Sequence, residues 1–237
     1  MTIEALYKTL PLNAIVAEIG VDRGHNASRI YESRSPKELY LIDPWTLCEW
    51  SNERWNTKRS KEETFNYFAD KENVTILQNY SVDASKMFEN HYFDWVFLDG
   101  SYEYEDVKAD LAHWLPKIKK GGYICGNILS LNDLNKWPGS HGAIIEFIIK
   151  YVEKKPEIVD QLQDRIDRRI SKTRHNSKFT KWHYYYTPPE IIELVKKHIE
   201  HYPSRRVRGG GWTLKIGDWV DDLNYEEIIE ESKNKVG

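Results

Sequence analysis

The sequence is poor in cysteine: Cys48 and Cys125 are the two among 237 residues. Two cysteines cannot build the disulfide framework of a small secreted domain, so the composition favours a reducing compartment. There is no run of eighteen or more apolar residues, so no membrane-spanning helix is expected. Residues 1–4 lack the basic and apolar regions that begin a signal peptide, and a cytoplasmic location is therefore expected.

An excess of positive charge is also missing. The formal net charge is -3, from 34 Lys and Arg against 37 Asp and Glu, which argues against a general nucleic-acid binder. Hydrophobic residues make up 40% of the chain, enough to form a buried core. Because the chain shows no internal repeat and no low-complexity linker, a single domain over residues 1–237 is expected.

Short apolar runs alternate with helical patterns along the first part of the chain. These runs are residues 14–20, 39–42, 74–77, 93–98 and 123–127. This alternation predicts an α/β fold with a doubly wound parallel sheet and helices on both faces. In such a sheet, a ligand binds over the carboxyl ends of the strands.

The first predicted strand ends in a glycine turn. Gly20 and Gly24 let the backbone bend sharply and approach a ligand closely. The helix predicted from about Asn26 offers free N–H groups at its start. Three residues separate the two glycines, so the turn is not the G-x-G-x-x-G dinucleotide pattern. A turn of this kind is also compatible with a purely structural role.

An acidic residue ends the second predicted strand. Asp43 lies 19 residues after Gly24, where nucleotide-binding sheets carry a carboxylate that accepts hydrogen bonds from ribose hydroxyls. Two residues later, Trp45 has the size and shape to cover an adenine face. The alternative interpretation is a solvated turn aspartate followed by a core tryptophan.

The fourth predicted strand, Phe93-Asp-Trp-Val-Phe-Leu98, runs directly into Asp99 and Gly100. A carboxylate at this place in an open α/β sheet faces the ligand crevice. We therefore expect Asp99 to mark the centre of the site.

Together these segments resemble a known family. The segment Glu18-Ile-Gly-Val-Asp-Arg-Gly24, the acid after the second strand, and F-D-W-V-F-L-D-G followed by K-A-D-L-x-x-W-L-P-K-I-K-K-G-G are similar to class I S-adenosylmethionine-dependent methyltransferases. The most similar branch is that of small-molecule O-methyltransferases acting on macrolide sugars and catechols. The resemblance covers about residues 14–150. It implies S-adenosylmethionine as cofactor, a small-molecule acceptor, and a Rossmann-like seven-stranded sheet, with runs 181–186 and 212–216 supplying the last strands at an antiparallel edge.

The resemblance implies a role for each residue around the methionine end of the cofactor. Glu18, Gly20 and Gly24 would shape the methionine pocket. Asn26 would lie near the carboxylate of that methionine moiety. Asp99 would face the sulfonium and the substrate.

A second group of residues would surround the nucleoside, again as the resemblance implies. Asp43 would hold the ribose, and Trp45 would lie beside the adenine. Tyr80 and Ser81 would line the adenine edge.

Departures from the family pattern bear on metal use. Relatives that use magnesium carry a second carboxylate at the end of the fifth strand, where this sequence has Asn127. A hard divalent cation prefers several oxygen ligands, usually including carboxylates, so no catalytic metal is expected. A hydroxyl acceptor would then need a general base, for which Asp99, Tyr102 and Glu103 are the candidates. An amine that is neutral at pH 7 would need no strong base.

The region after residue 150 contains a basic insertion, expected at about residues 153–181. Residues 165–181 hold seven Lys or Arg and one acid. A solvated helix and linker is one interpretation. The other is a lid that collects an anionic acceptor, or a contact in a homodimer. Two other functions compete with methyl transfer: an NAD-dependent oxidoreductase, and a cofactor-binding protein without catalysis.

Overall fold

The structure is a computed structural model that describes residues 6–8, 10–45, 57–101, 103–126, 143–144, 147, 212–217, 220–221 and 223–233. Its strands β1 to β6 are Ile15–Ile19, Glu38–Asp43, Val74–Gln78, Phe93–Leu98, Ile118–Gly126 and Trp212–Lys215. Its helices α1 to α5 are His25–Arg34, Thr57–Phe68, Ser81–Ser85, Tyr104–Trp114 and Tyr225–Lys233.

The strands form one sheet in the order β3-β2-β1-β4-β5-β6. The first five are parallel to their neighbours, so the predicted α/β Rossmann-like sheet is confirmed over five parallel strands. Strand β6 runs antiparallel to β5, with Tyr123 opposite Lys215. The predicted strand 181–186 and the basic insertion 153–181 lie outside the described residues, and the seven-strand count stays a prediction.

Two helices have bounds that differ from the sequence prediction. Residues 61–72, with Phe65 and Phe68 on one side, predict a helix, but the observed helix α2 begins at Thr57 and ends at Phe68. Its end is followed by turns, in which the Lys71 N–H donates to the Phe68 carbonyl at 3.1 Å. The sequence also predicts a helix from about Val82 to Asn90, but the observed helix α3 begins at Ser81 and ends at Ser85. Polar residues at both places carry no clear apolar period, which is why the pattern misplaced them.

Each face of the sheet is covered by different side chains. Leu39 and Leu41 of β2 belong to a buried cluster with Ala27 and Ile30 of α1 and Phe68 of α2. Tyr40 alternates with them and packs against other aromatic rings. These rings are Phe88, Tyr92 and Phe93, with Trp114 adjoining Phe88 and Phe93. The period-two alternation of β2 thus separates two cores.

The chain divides into two compact units. The first comprises Met1–Gly100, His113–Asn127 and Gly211–Val220, and it contains the whole described sheet. The second comprises Ser101–Ala112, Ile128–Gly210 and Asp221–Gly237. Within the part of the chain that the structure describes, no helix has both the length and the apolar character needed to cross a membrane.

Candidate functional site

Three predicted carboxylates lie at the carboxyl ends of neighbouring strands. Glu18 is in β1, Asp43 ends β2, and Asp99 follows β4. Strand β1 lies between the other two, and its residue Ile19 pairs with both neighbours. The parallel register therefore brings the three acids to one edge of the sheet.

Gly20 lies where the backbones of two strand ends approach each other. Its φ is 86°, and a Cβ there would lie 2.4 Å from the Asp99 carbonyl oxygen and 2.4 Å from the Gly100 Cα. The Asp99 N–H also donates to the Ile19 carbonyl at 2.7 Å. The close approach of the protein's own backbone therefore already requires glycine at this position, as the structural interpretation of the turn expects.

Gly24 precedes α1 and lies against α2. Its φ is 74°, and a Cβ would lie 3.2 Å from Thr64 Oγ1 and 3.3 Å from the Phe68 ring. A side chain at this position would therefore be strained by the left-handed backbone conformation, and it would also crowd the neighbouring helix. The second glycine of the turn is thus needed where the turn packs on α2.

The Asp43 carboxylate is already bound to backbone N–H groups. Its Oδ2 accepts from Val21 at 2.9 Å and Asp22 at 3.0 Å, and its Oδ1 accepts from Trp45 at 2.7 Å. Burial raises the pKa of Asp43, although these three hydrogen bonds act in the opposite direction. A carboxylate has about four acceptor positions, so about one remains on Oδ1. Asp43 can therefore receive one further hydroxyl donor.

Trp45 belongs mainly to the protein interior. It is 7% exposed, and its Nε1 donates to the Asp22 carbonyl at 2.9 Å. Its ring meets Phe65 edge-on, with the centroids 5.9 Å apart. This burial matches the core interpretation of the sequence.

Glu18 begins a buried chain of hydrogen bonds that the sequence did not reveal. Asn26 Nδ2 donates to Glu18 Oε1 at 2.7 Å, and the Tyr7 hydroxyl donates to Asn26 Oδ1. Glu18 is 0% exposed, and its Oε2 has no hydrogen-bond partner among the described residues. Burial raises the pKa of Glu18 well above its ordinary value, against the effect of the Asn26 hydrogen bond, and the nearby Asp99 and Asp43 raise it further.

Tyr7 was missed because no motif contains it. It lies in a short helical segment, residues 6–8, outside every turn with a recognisable glycine or acid. The sequence offers only a weak indication of its role, because Tyr7 lies in an apolar run with Leu6 and Leu10. Both leucines are buried. Only the three-dimensional contact with Asn26 distinguishes it from an ordinary core aromatic.

The two residues predicted at the adenine edge differ in their surroundings. Tyr80 is 59% exposed and precedes α3. The Ser81 hydroxyl accepts a hydrogen bond from Trp114 Nε1 at 2.8 Å. The Ser81 side chain is thus held by a hydrogen bond within the protein, whereas the Tyr80 side chain is accessible to a ligand.

The remaining predicted residues follow β4. Tyr102 lies outside the described residues, as does Asn127. Burial raises the pKa of Glu103 to about 7, and the neighbouring Asp106 carboxylate adds to the effect. Among the described residues, no group of three or more His, Cys, Asp or Glu is arranged to hold a metal ion.

Comparison with known proteins identifies the segment that carries this geometry. Residues 17–127 match the model of a methyltransferase domain. The chain thus contains a segment that is similar to a methyltransferase domain. The matched segment contains the last three residues of β1, the whole of β2 to β5, and all the site residues that the sequence predicts. S-adenosylmethionine is the cofactor of such a domain, whereas Tyr7 lies outside the matched segment.

Solved structures resemble the chain at low sequence identity. A protein of Corynebacterium glutamicum is 13% identical, with a TM-score of 0.46, over 90% of this chain and 79% of its own. The 1,6-didemethyltoxoflavin-N1-methyltransferase of Burkholderia thailandensis is 16% identical, with a TM-score of 0.35, over 53% of this chain and 48% of its own. A chain of the Haloferax volcanii complex between the Trm112 methyltransferase activator and a methyltransferase is 12% identical, with a TM-score of 0.42. The match covers 56% of this chain and 54% of that one. The match thus spans about half the length of the last two chains, and no curated protein matches the sequence.

Proposed function

We propose that the protein is an S-adenosylmethionine-dependent methyltransferase that acts on a hydroxyl or an amine of a small molecule. The observation that carries the proposal is the buried Glu18 carboxyl, which has an unpartnered oxygen at the carboxyl edge of a methyltransferase domain. A buried polar atom of this kind is costly unless something binds it.

The donor set fits the chemistry of the methyl donor. The ammonium of its methionine arm would bind Glu18 Oε2, because a charge-assisted hydrogen bond suits a buried carboxylate. A ribose hydroxyl would donate to the free position on Asp43 Oδ1. The acids Glu18, Asp43 and Asp99 together favour a cationic sulfonium over a neutral or anionic group at this edge. When bound, the cofactor supplies the methyl group, and these residues orient it.

The finer features of the function form part of the same proposal. The acceptor would belong to the small-molecule O-methyltransferase branch, with Asp99, Tyr102 or Glu103 as general base and no catalytic metal. An anionic acceptor would be attracted by the basic residues within 165–181. The insertion 153–181 would act as a lid or a homodimer contact in a cytoplasmic, single-domain enzyme with a seven-stranded sheet.

Two other functions compete with methyl transfer. A cofactor-binding protein without catalysis would bind S-adenosylmethionine and show no turnover. An NAD-dependent oxidoreductase would use the same sheet, but the three-residue spacing between Gly20 and Gly24 disfavours a dinucleotide pyrophosphate at this turn.

Calorimetric titration separates these functions. We expect S-adenosylmethionine and its demethylated product to bind at least ~10²-fold more tightly than NAD, because NAD has no ammonium for Glu18. Binding of NAD with no response to either methionine derivative would contradict the proposal. A tight complex together with no methyl transfer to any small-molecule hydroxyl or amine in a broad acceptor panel would favour the non-catalytic alternative.

A pH–rate profile tests Glu103 as the general base. Because the pKa of Glu103 in the unliganded protein is raised to about 7, kcat/KM should fall as the pH decreases through about 7 and the carboxylate is protonated. Glu103→Gln should lower kcat by ~10²-fold or more and remove this dependence. Removing the Asp106 charge should lower the pKa of Glu103, so Asp106→Asn should shift the same limb to lower pH. A profile that neither variant changes would exclude Glu103 as the base.

A further inference from the structure

Tyr7 carries a hydroxyl where a phenylalanine would fill the same space. The residue is 2% exposed, and its ring packs against Phe97 with the centroids 6.0 Å apart. A buried tyrosine usually keeps a hydrogen-bond partner for its hydroxyl. Here the partner is the Asn26 side chain at the start of α1.

The bond from Tyr7 determines which way the Asn26 amide faces. An amide has an acceptor end and a donor end, and the hydroxyl donates to the acceptor Oδ1. The Nδ2 end is thereby turned toward Glu18, where it donates to Oε1 at 2.7 Å. The reversed amide would place the acceptor Oδ1 where Nδ2 now donates, so Oε1 of the ionised Glu18 would lose its hydrogen-bond donor.

The same arrangement decides which Glu18 oxygen is available. Asn26 occupies Oε1, while Oε2 is buried and has no hydrogen-bond partner among the residues that the structure describes. A cation with N–H donors is the chemical class that satisfies a buried carboxylate oxygen. The α-ammonium group of an amino-acid arm has this chemistry.

We propose that Tyr7 is a positioning residue for the methyl donor: it orients the Asn26 amide so that Glu18 presents Oε2 to the donor's ammonium group. This inference rests on the proposed function. It assigns a role to a residue that precedes the matched methyltransferase segment, residues 17–127. Burial and the nearby Glu18 raise the pKa of Tyr7, so its hydroxyl remains a donor throughout the physiological pH range.

Calorimetry with two ligands tests the inference. S-adenosylhomocysteine carries the amino-acid arm, whereas 5′-methylthioadenosine lacks it. We expect Tyr7→Phe to weaken binding of S-adenosylhomocysteine ~10-fold, the scale of one hydrogen bond to a charged group. Binding of 5′-methylthioadenosine should change less than ~2-fold, because that ligand does not use Glu18.

Tyr31 provides a matched control. Its hydroxyl also donates to an asparagine side chain, Asn73 Oδ1, at 3.2 Å. Tyr31→Phe should therefore leave the affinity for both ligands unchanged. The circular dichroism spectrum and melting temperature of each variant verify that it is folded.

A double substitution at Tyr7 and Asn26 tests the same role independently. In an Asn26→Ala background there is no amide to orient, so adding Tyr7→Phe should cause no further loss of S-adenosylhomocysteine binding. Equal weakening of both ligands by Tyr7→Phe, no weakening of either, or full additivity with Asn26→Ala would overturn the inference. A wild-type protein that binds neither ligand would overturn the proposed function as well.

Discussion

Replacing Glu18 with glutamine is expected to weaken S-adenosylmethionine binding by roughly 30- to 100-fold, which corresponds to about 2–3 kcal/mol. The variant keeps an oxygen for the Asn26 amide but loses the negative charge that the donor's ammonium would meet. Calorimetry at pH 8 measures this loss. Unchanged affinity would show that the buried carboxyl has another purpose.

The same substitution should make the protein more stable at alkaline pH. Since burial raises the pKa of Glu18, the folded state binds a proton more readily than the unfolded state. The stability from this proton is fully present below the unfolded-state pKa and is lost as the pH rises through the folded-state pKa. Glutamine does not titrate, so the free energy of unfolding of Glu18→Gln should exceed that of the wild type at pH 8 and match it near pH 4.

Glu38 offers a control of opposite sign. Glu38 lies at the end of β2 away from Asp43. Hydrogen bonds from Tyr92 and Tyr40 lower the pKa of Glu38. Its stabilising contribution is present above the unfolded-state pKa, so Glu38→Gln should lower the free energy of unfolding at pH 8 without affecting the ligand. Urea denaturation of both variants at pH 4 and 8 measures the contrast. A Glu18→Gln protein that is less stable than wild type at pH 8 would contradict the argument.

Gly20→Ala is expected to destabilise the protein by about 3 kcal/mol or more. Its φ of 86° disfavours any side chain, and the added Cβ would come within 2.4 Å of the Asp99 carbonyl oxygen. Because that neighbour is backbone, it can move only if the ends of β1 and β4 separate. Urea denaturation at 25 °C measures the loss.

Gly121 separates the contribution of the contact from that of the backbone angle. Its φ is 84°, close to that of Gly20, but a Cβ there would meet nothing within 4 Å. Gly121→Ala should therefore cost about 1–2 kcal/mol, from the left-handed backbone alone. If the two alanine variants lost equal stability, the close approach of the strand ends would not matter energetically.

The arrangement of the sheet was predictable because each parallel strand contains a short apolar run, and every run except that of β3 ends at a glycine or an acid. Periodicity locates such runs, and parallel pairing then brings Glu18, Asp43 and Asp99 to one edge without further information. The start of α2 was not predictable, because its first turn contains polar residues that bond to other parts of the chain. Ser60, for example, donates to Asp22 Oδ1 at 2.6 Å.

The use of each acid was harder to predict than its position. Spacing identifies Asp43 as a strand-end carboxylate. It does not show that the Val21 and Asp22 N–H groups already donate hydrogen bonds to that carboxylate. The Tyr7–Asn26–Glu18 chain joins residues up to 19 positions apart. Hydrogen bonds between such distant side chains depend on packing, which a single sequence does not encode in any local pattern.

The turn between Gly20 and Gly24 is preorganised. Asp22 accepts hydrogen bonds at its carbonyl from Trp45 Nε1 and Thr64 Oγ1, while the Val21 and Asp22 N–H groups donate to Asp43. All these bonds are made within the protein, so the turn keeps its shape without help from a ligand. The conformational entropy of this loop is already lost when the protein folds. A ligand that binds at this edge of the sheet therefore does not have to order the loop, and its affinity is not reduced by that cost.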